Sequence, residues 1–232
     1  MLQKTLAYSV HFFTVLGVYF SYLALLAAIE NNLPLVFLYL AIALFIDGID
    51  GTLARWVDVK TFASKINGEI LDNIIDFLSY VFIPAFVIHS FNFVPSEYSN
   101  LVIFIILITS CYTFANNDLK TKDNYFSGFP ALWNIVLLYF YLLDSSQMVN
   151  LFSILILSIL TFTPIKFLHP FRVDKLKTLN LIILLIWIMS SFVLLLEKDF
   201  GVEIGYYPFW LWVGSNIYFI YLTCVRTLRT ID

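Results

Sequence analysis

Four aspartates stand in stretches that are otherwise apolar. Asp47 and Asp50 belong to the run 34–53, and Asp72 and Asp76 to the run 66–91. A charge inside a membrane-spanning helix costs roughly 2.5–3.5 kcal/mol by insertion scales, so four unpaired carboxylates would cost on the order of 10 kcal/mol. A bound divalent cation is the simplest compensation, because hard cations take several carboxylate oxygens at once. The spacing favours convergence. Asp47 and Asp50 are three apart and share a helix face with Gly51 and Ala54, while Asp72 and Asp76 are four apart with Gly68 one turn earlier. Small residues beside the acids let two helices, or a ligand, approach closely. Depth agrees too. Asp47 precedes Arg55 by 8 residues and Asp76 follows Lys65 by 11, about 12 and 16 Å along two antiparallel helices. A structural hydrogen-bonding role and a proton or cation pathway are the other readings of an intramembrane aspartate.

The elements that must hold these acids are membrane helices. The chain is 61% hydrophobic and 12% charged, with mean hydropathy +0.88, against about 25% charge in a soluble domain. Aromatic residues make up 19%, in keeping with interfacial tyrosine and tryptophan belts. A span needs about 20 mostly apolar residues. Eight candidates follow: Leu6–Ile29, Pro34–Leu53, Ile66–Phe91, Leu101–Thr113, Phe129–Leu143, Val149–Phe167, Leu179–Leu196 and Tyr206–Val225. The first is too long for the apolar core of a signal peptide and reads as a span. The expected fold is therefore an all-α integral membrane protein with about eight transmembrane helices in a single domain, residues 1–232.

Charge orients it. With an inside N-terminus, 12 of the 13 basic residues fall on one side and only Lys198 on the other. The excess of positive charge marks the cytoplasmic side, which places both termini there. Net charge is −3, and nothing suggests a nucleic-acid partner. Cys111 and Cys224 sit far apart in apolar runs, as small hydrophobes with no disulfide implied. His11 suits a hydrogen bond within the bundle, and His89 lies near the outer interface.

The acids form part of a longer pattern: Asp47-x2-Asp50-Gly51-x2-Ala54-Arg55, twelve residues, then Gly68-x3-Asp72-x3-Asp76. These eight positions resemble the signature of the CDP-alcohol phosphatidyltransferases. The gap before Gly68 is longer than is common in that family and is similar to the branch that forms phosphatidylcholine in bacteria. Val10-His11-Phe12-Phe13-Thr14, Tyr112-x-Phe114-Ala115, Leu119-Lys120-Thr121, Phe126-x-Gly128-Phe129-Pro130-Ala131-Leu132-Trp133-Asn134 and Phe162-x-Pro164-Ile165-Lys166-Phe167-x-His169-Pro170-Phe171-Arg172 resemble the same branch, as does the eight-span layout.

The resemblance implies a transferase of phospholipid biosynthesis in the bacterial inner membrane, with its active site facing the cytoplasm. Its reaction would be CDP-diacylglycerol plus choline giving phosphatidylcholine plus CMP. It also implies that Asp47, Asp50 and Asp72 bind Mg²⁺ or Mn²⁺, that Asp76 completes the metal site and acts as general base, and that the enzyme is a homodimer. Asp50, Gly51, Ala54, Arg55 and Gly68 would then hold the CDP group, with Arg55 on the diphosphate. Choline's quaternary ammonium calls for aromatic faces, and Tyr80, Tyr112 and Trp133 are the candidates. Lys166 and Arg172 are candidates for the lipid phosphate, with positive-side anchoring as their other reading. Serine, inositol or glycerol 3-phosphate as acceptor is the first alternative, and a cation transporter is the second.

Overall fold

The computed structural model describes residues 2–116, 125–168, 173, 176–202 and 204–228. Among these residues six helices are long and apolar enough to cross a membrane. They are α1 (Leu2–Ile29), α2 (Leu33–Val57), the continuous helix Gly68–Ser90, α6 (Ser96–Ala115), α9 (Lys177–Phe200) and α10 (Tyr207–Leu228). Gly68–Ser90 is built from α4 (Gly68–Asp76), a π-helical turn (Phe77–Phe82) and α5 (Ile83–Ser90). A four-residue turn, α3 (Val59–Phe62), joins α2 to α4.

The expectation of eight spans meets a difference in the middle of the chain. There, α7 (Trp133–Leu142) and α8 (Gln147–Leu160) have 10 and 14 residues, about 15 and 21 Å of helix against a hydrocarbon core of about 30 Å. Their ends at 125–132 and 161–168 are not helical. Instead β1 (Phe126–Ser127) pairs antiparallel with β2 (Lys166–Phe167). Local residues explain the shortening. Gly128 adopts φ +90, and a Cβ there would lie 2.3 Å from the Thr161 carbonyl oxygen, so no other residue fits. Pro130 and Pro164 lack the N–H a helix would need. The Gly128 N–H donates to the Ile165 carbonyl at 2.8 Å and the Phe129 N–H to that of Leu160 at 3.1 Å, which ties the entry of α7 to the exit of α8.

The core lies among the central helices, around Trp133, Leu137, Ile106, Ile154, Ile88 and Val36. Large apolar side chains such as Phe45, Phe104, Ile156, Leu185 and Ile220 point outward and are exposed, the arrangement lipid permits and water does not. The helix α1 presents a buried face of small residues, Ala7, Gly17, Ser21, Ala24, Ala27 and Ala28. Along it α2 packs more extensively than any other pair of elements. A Cβ added at Gly17 would lie 2.8 Å from Ile75 Cγ2. That glycine is what lets α4 come down onto α1, so α1 is the common floor for both acid-bearing helices.

Candidate functional site

Local sequence sets where each acid-bearing helix begins and ends. Asn32 caps α2, its side chain accepting from the Leu35 N–H, and Pro34 occupies the first turn. The helix then runs 25 residues to a left-handed Asp58, with Arg55 in its last turn. Asp47 and Asp50 thus fall near its C-terminal end. At the start of α4 the Asn67 side chain accepts from the Glu69 and Ile70 N–H groups at 3.1 and 3.2 Å. This cap fixes the helix start at Gly68, so Asp72 comes one turn in and Asp76 two.

The two pairs converge as their spacing suggests. Each of Asp47, Asp50 and Asp72 offers a carboxylate oxygen, and these oxygens lie within 4.8 Å of one another. Asp50 is buried, while Asp47, Asp72 and Asp76 are half-buried. Asp76 stands outside that group of three, with its carboxyl beside that of Asp47. The Tyr80 hydroxyl also donates to Asp47 Oδ2. At such separations each pair of like charges repels by about 3 kcal/mol or more for an effective dielectric near 20. A cation relieves this, and the donor set fits one. Oxygens on opposite sides of a hard divalent ion are about 4–5 Å apart, and an all-carboxylate set suits such an ion.

Around the acids the glycines differ in what they answer. A Cβ at Gly51 would meet Arg55 Nη1 at 3.5 Å, an ordinary contact, so the protein's own packing does not require glycine there. At Gly68 a Cβ would meet His11 Cε1 at 3.3 Å, so this glycine partly accommodates His11. The buried Nε2 of His11 has no hydrogen-bond partner among the described residues. Ala54 packs with Ala7, Val10, Val59 and Ala63 where α1 meets α3. Arg55 is exposed, and its Nη2 donates to Thr52 Oγ1 at 3.0 Å. The remaining donors of its planar fork suit a phosphate.

The three aromatic candidates have three different surroundings. Tyr80 is buried beside Asp47. Tyr112 is exposed at the end of α6, with its hydroxyl accepting from Asn116 Nδ2 at 2.9 Å and its ring 5.0 Å from that of Phe162. Trp133 is fully buried, donates its indole N–H to Ser110 Oγ at 2.8 Å and meets the Phe129 ring edge-on at 5.0 Å. Lys166 is committed to the strand pair. Its Nζ donates to Ser127 Oγ at 3.0 Å and its backbone N–H to Thr227 Oγ1 at 2.9 Å. Arg172 lies outside the described residues. Sequence reasoning missed the hydroxyl contact of Tyr80 and the packing of His11 on Gly68. Pro84 was the available signal for the first, since a proline inside an apolar helix disturbs the turn before it. A histidine in an apolar span was the signal for the second.

The sequence profile of the CDP-alcohol phosphatidyltransferases matches residues 5–214. The chain is 41% identical over 230 residues to a phosphatidylcholine synthase of Pseudomonas aeruginosa, covering 98% of this chain and 94% of that protein. It is 37% identical over 226 residues to one of Mesorhizobium japonicum, covering 94% and 84%. A phosphatidylcholine synthase of Borreliella burgdorferi is 37% identical over 191 residues, covering 81% and 82%. With the family's profile matched over residues 5–214 and this likeness along most of its length, the chain belongs to the CDP-alcohol phosphatidyltransferase family.

Proposed function

We propose that this chain transfers the phosphatidyl group of CDP-diacylglycerol to choline, forming phosphatidylcholine and releasing CMP. The observation that carries the reading is the convergence of Asp47, Asp50 and Asp72 within 4.8 Å, with Asp76 beside them. The names of the relatives supply the choice of choline.

Asp47, Asp50 and Asp72 would hold Mg²⁺ or Mn²⁺, with Asp76 completing the site. Such an ion, when bound, neutralises the diphosphate and stabilises CMP as the leaving group. Arg55 binds the diphosphate from the helix end. Gly51 leaves the backbone open to the cytidine and ribose, and Ala54 and Gly68, small residues that also pack against other parts of the chain, would border the same pocket. Asp76 takes the proton of the choline hydroxyl as its oxygen forms the new bond to phosphorus, while the phosphorus–oxygen bond to CMP breaks. A positioned base of this kind contributes about 10²–10⁴-fold. Tyr80 and Tyr112 are the aromatic candidates for choline's ammonium, each such face being worth about 0.5–2 kcal/mol, whereas Trp133, enclosed by Ser110 and Phe129, has no open face to offer. Lys166, through the donors that its bond to Ser127 leaves, and Arg172 would meet the lipid phosphate.

The same reading places the enzyme in the bacterial inner membrane as a homodimer of eight-span chains. Both termini and the acid cluster face the cytoplasm, where the segregation of basic residues puts them. The test is CMP release from purified protein with CDP-diacylglycerol and Mn²⁺, offering choline, serine, inositol or glycerol 3-phosphate, alongside Asp76→Asn. Choline-dependent CMP and phosphatidylcholine, lost in the variant, is the expected result. Release with a different alcohol alone would replace the acceptor, and release with none would favour ion transport.

A further inference from the structure

We propose that Tyr80 is a positioning residue for the metal-binding carboxylates, acting through its hydroxyl on Asp47. The inference rests on the metal-dependent reading above. Tyr80 sits in the π-helical turn Phe77–Phe82, which begins directly after Asp76. Pro84, four residues on, accounts for that wide turn: it has no N–H for the Tyr80 carbonyl, and its ring would clash with that carbonyl in a regular helix. Single π-turns inside helices often mark functional positions. Here the turn keeps the side chain of Tyr80 directed at α2. The residue is 5% exposed, and its hydroxyl donates to Asp47 Oδ2.

Asp47 is the hinge of the site. Its carboxylate meets Tyr80, lies beside Asp76 and offers an oxygen to the group formed with Asp50 and Asp72. A carboxylate has about four lone-pair positions, so accepting from Tyr80 leaves room for a cation. The bond fixes the rotation of Asp47 before any ion arrives. Hydrogen-bonding partners that orient metal ligands typically change metal affinity by about 10–100-fold when removed. This role belongs to the hydroxyl and is separable from any use of the ring as a face for choline.

The experiment measures Mn²⁺ affinity of the purified full chain without substrate, by the electron paramagnetic resonance signal of free Mn²⁺, for wild type, Tyr80→Phe and Tyr141→Phe. Tyr141→Phe removes a similar tyrosine–aspartate bond, to Asp199, far from the acid cluster. Tyr80→Phe should bind Mn²⁺ about 10-fold more weakly or worse, and Tyr141→Phe should match wild type. The Mn²⁺ concentration for half-maximal CMP release should rise by the same factor in Tyr80→Phe, with the choline KM unchanged at saturating Mn²⁺. Wild-type Mn²⁺ affinity in Tyr80→Phe would overturn the proposal while leaving the metal site standing, as would an equal loss in both variants. Absence of Mn²⁺ binding by wild type would instead overturn the metal reading itself.

Discussion

Two tyrosine–aspartate pairs sit at opposite ends of the bundle and serve opposite ends. Tyr80 donates to Asp47 in one, and Tyr141 donates to Asp199 in the other. Tyr141 also stacks on Phe37 at 4.9 Å, ten residues before Asp47 on α2, or about 15 Å away along the helix. Around Tyr141 the charges are mixed. Lys198 Nζ lies 2.5 Å from Asp144 Oδ1 and 4.9 Å from the centre of the Tyr141 ring, and the Glu197 carboxylate accepts from the Ile204 N–H at 2.9 Å. Around Tyr80 like charges gather, three carboxylate oxygens within 4.8 Å and a fourth carboxyl against them. The far cluster supplies its own cation, whereas the near one is arranged to receive one. An acidic cluster therefore signals a site by the surplus of like charge it concentrates, not by the number of acids.

The sharpest way to break that contrast is to neutralise one acid at each end. Asp50→Asn should lower CMP release by about 10³-fold or more, as loss of several kcal/mol of transition-state charge stabilisation implies, and Asp199→Asn should stay within about twofold. Similar losses in both would erase the distinction. Thermal unfolding sharpens it next. Mn²⁺ at about 100 times its Kd should stabilise wild type and Asp199→Asn by about 2.7 kcal/mol, a rise of several degrees in Tm that chelation reverses. Asp47→Asn should show little of it. A third comparison concerns the floor beneath the acids. Gly17→Leu forces Ile75, and with it α4, away from α1, and should cost about 1–3 kcal/mol of stability together with activity. Gly214→Ala, where a Cβ would meet nothing within 4 Å, should change neither measurement. The smallest effect belongs to Lys198→Ala. Its partner Asp144 is 82% exposed, so water replaces the lysine and the loss should be no more than about 1 kcal/mol, with CMP release unchanged.

Much of this was legible before the fold was known. Helix type, the positions of six long spans and the meeting of Asp47 and Asp50 with Asp72 follow from apolar run length and the period of the helix. Other features depend on groups distant in sequence and had no local trace. The strand pair at Phe126–Ser127 and Lys166–Phe167 joins segments about 40 residues apart and shortens what composition reads as two spans. Trp133 reads as an aromatic available to a ligand until Ser110 and Phe129 are seen to enclose it. Lys166 reads as a candidate for the lipid phosphate or for positive-side anchoring, and only the fold shows its ammonium donating to Ser127 Oγ.

The sequence by itself determined the solvent, the helices and the signature: lipid, because 61% of residues are hydrophobic, and a cation-binding face, because acids three and four apart must share one side of a helix. Tertiary structure alone decided how the two faces meet. The small-residue face of α1 brings α2 and α4 onto one floor, with Gly17 admitting Ile75, and the wide turn before Pro84 aims Tyr80 at Asp47. Periodicity fixes which residues share a face, but the rotation of one helix against another is set by side-chain packing between residues far apart in the chain.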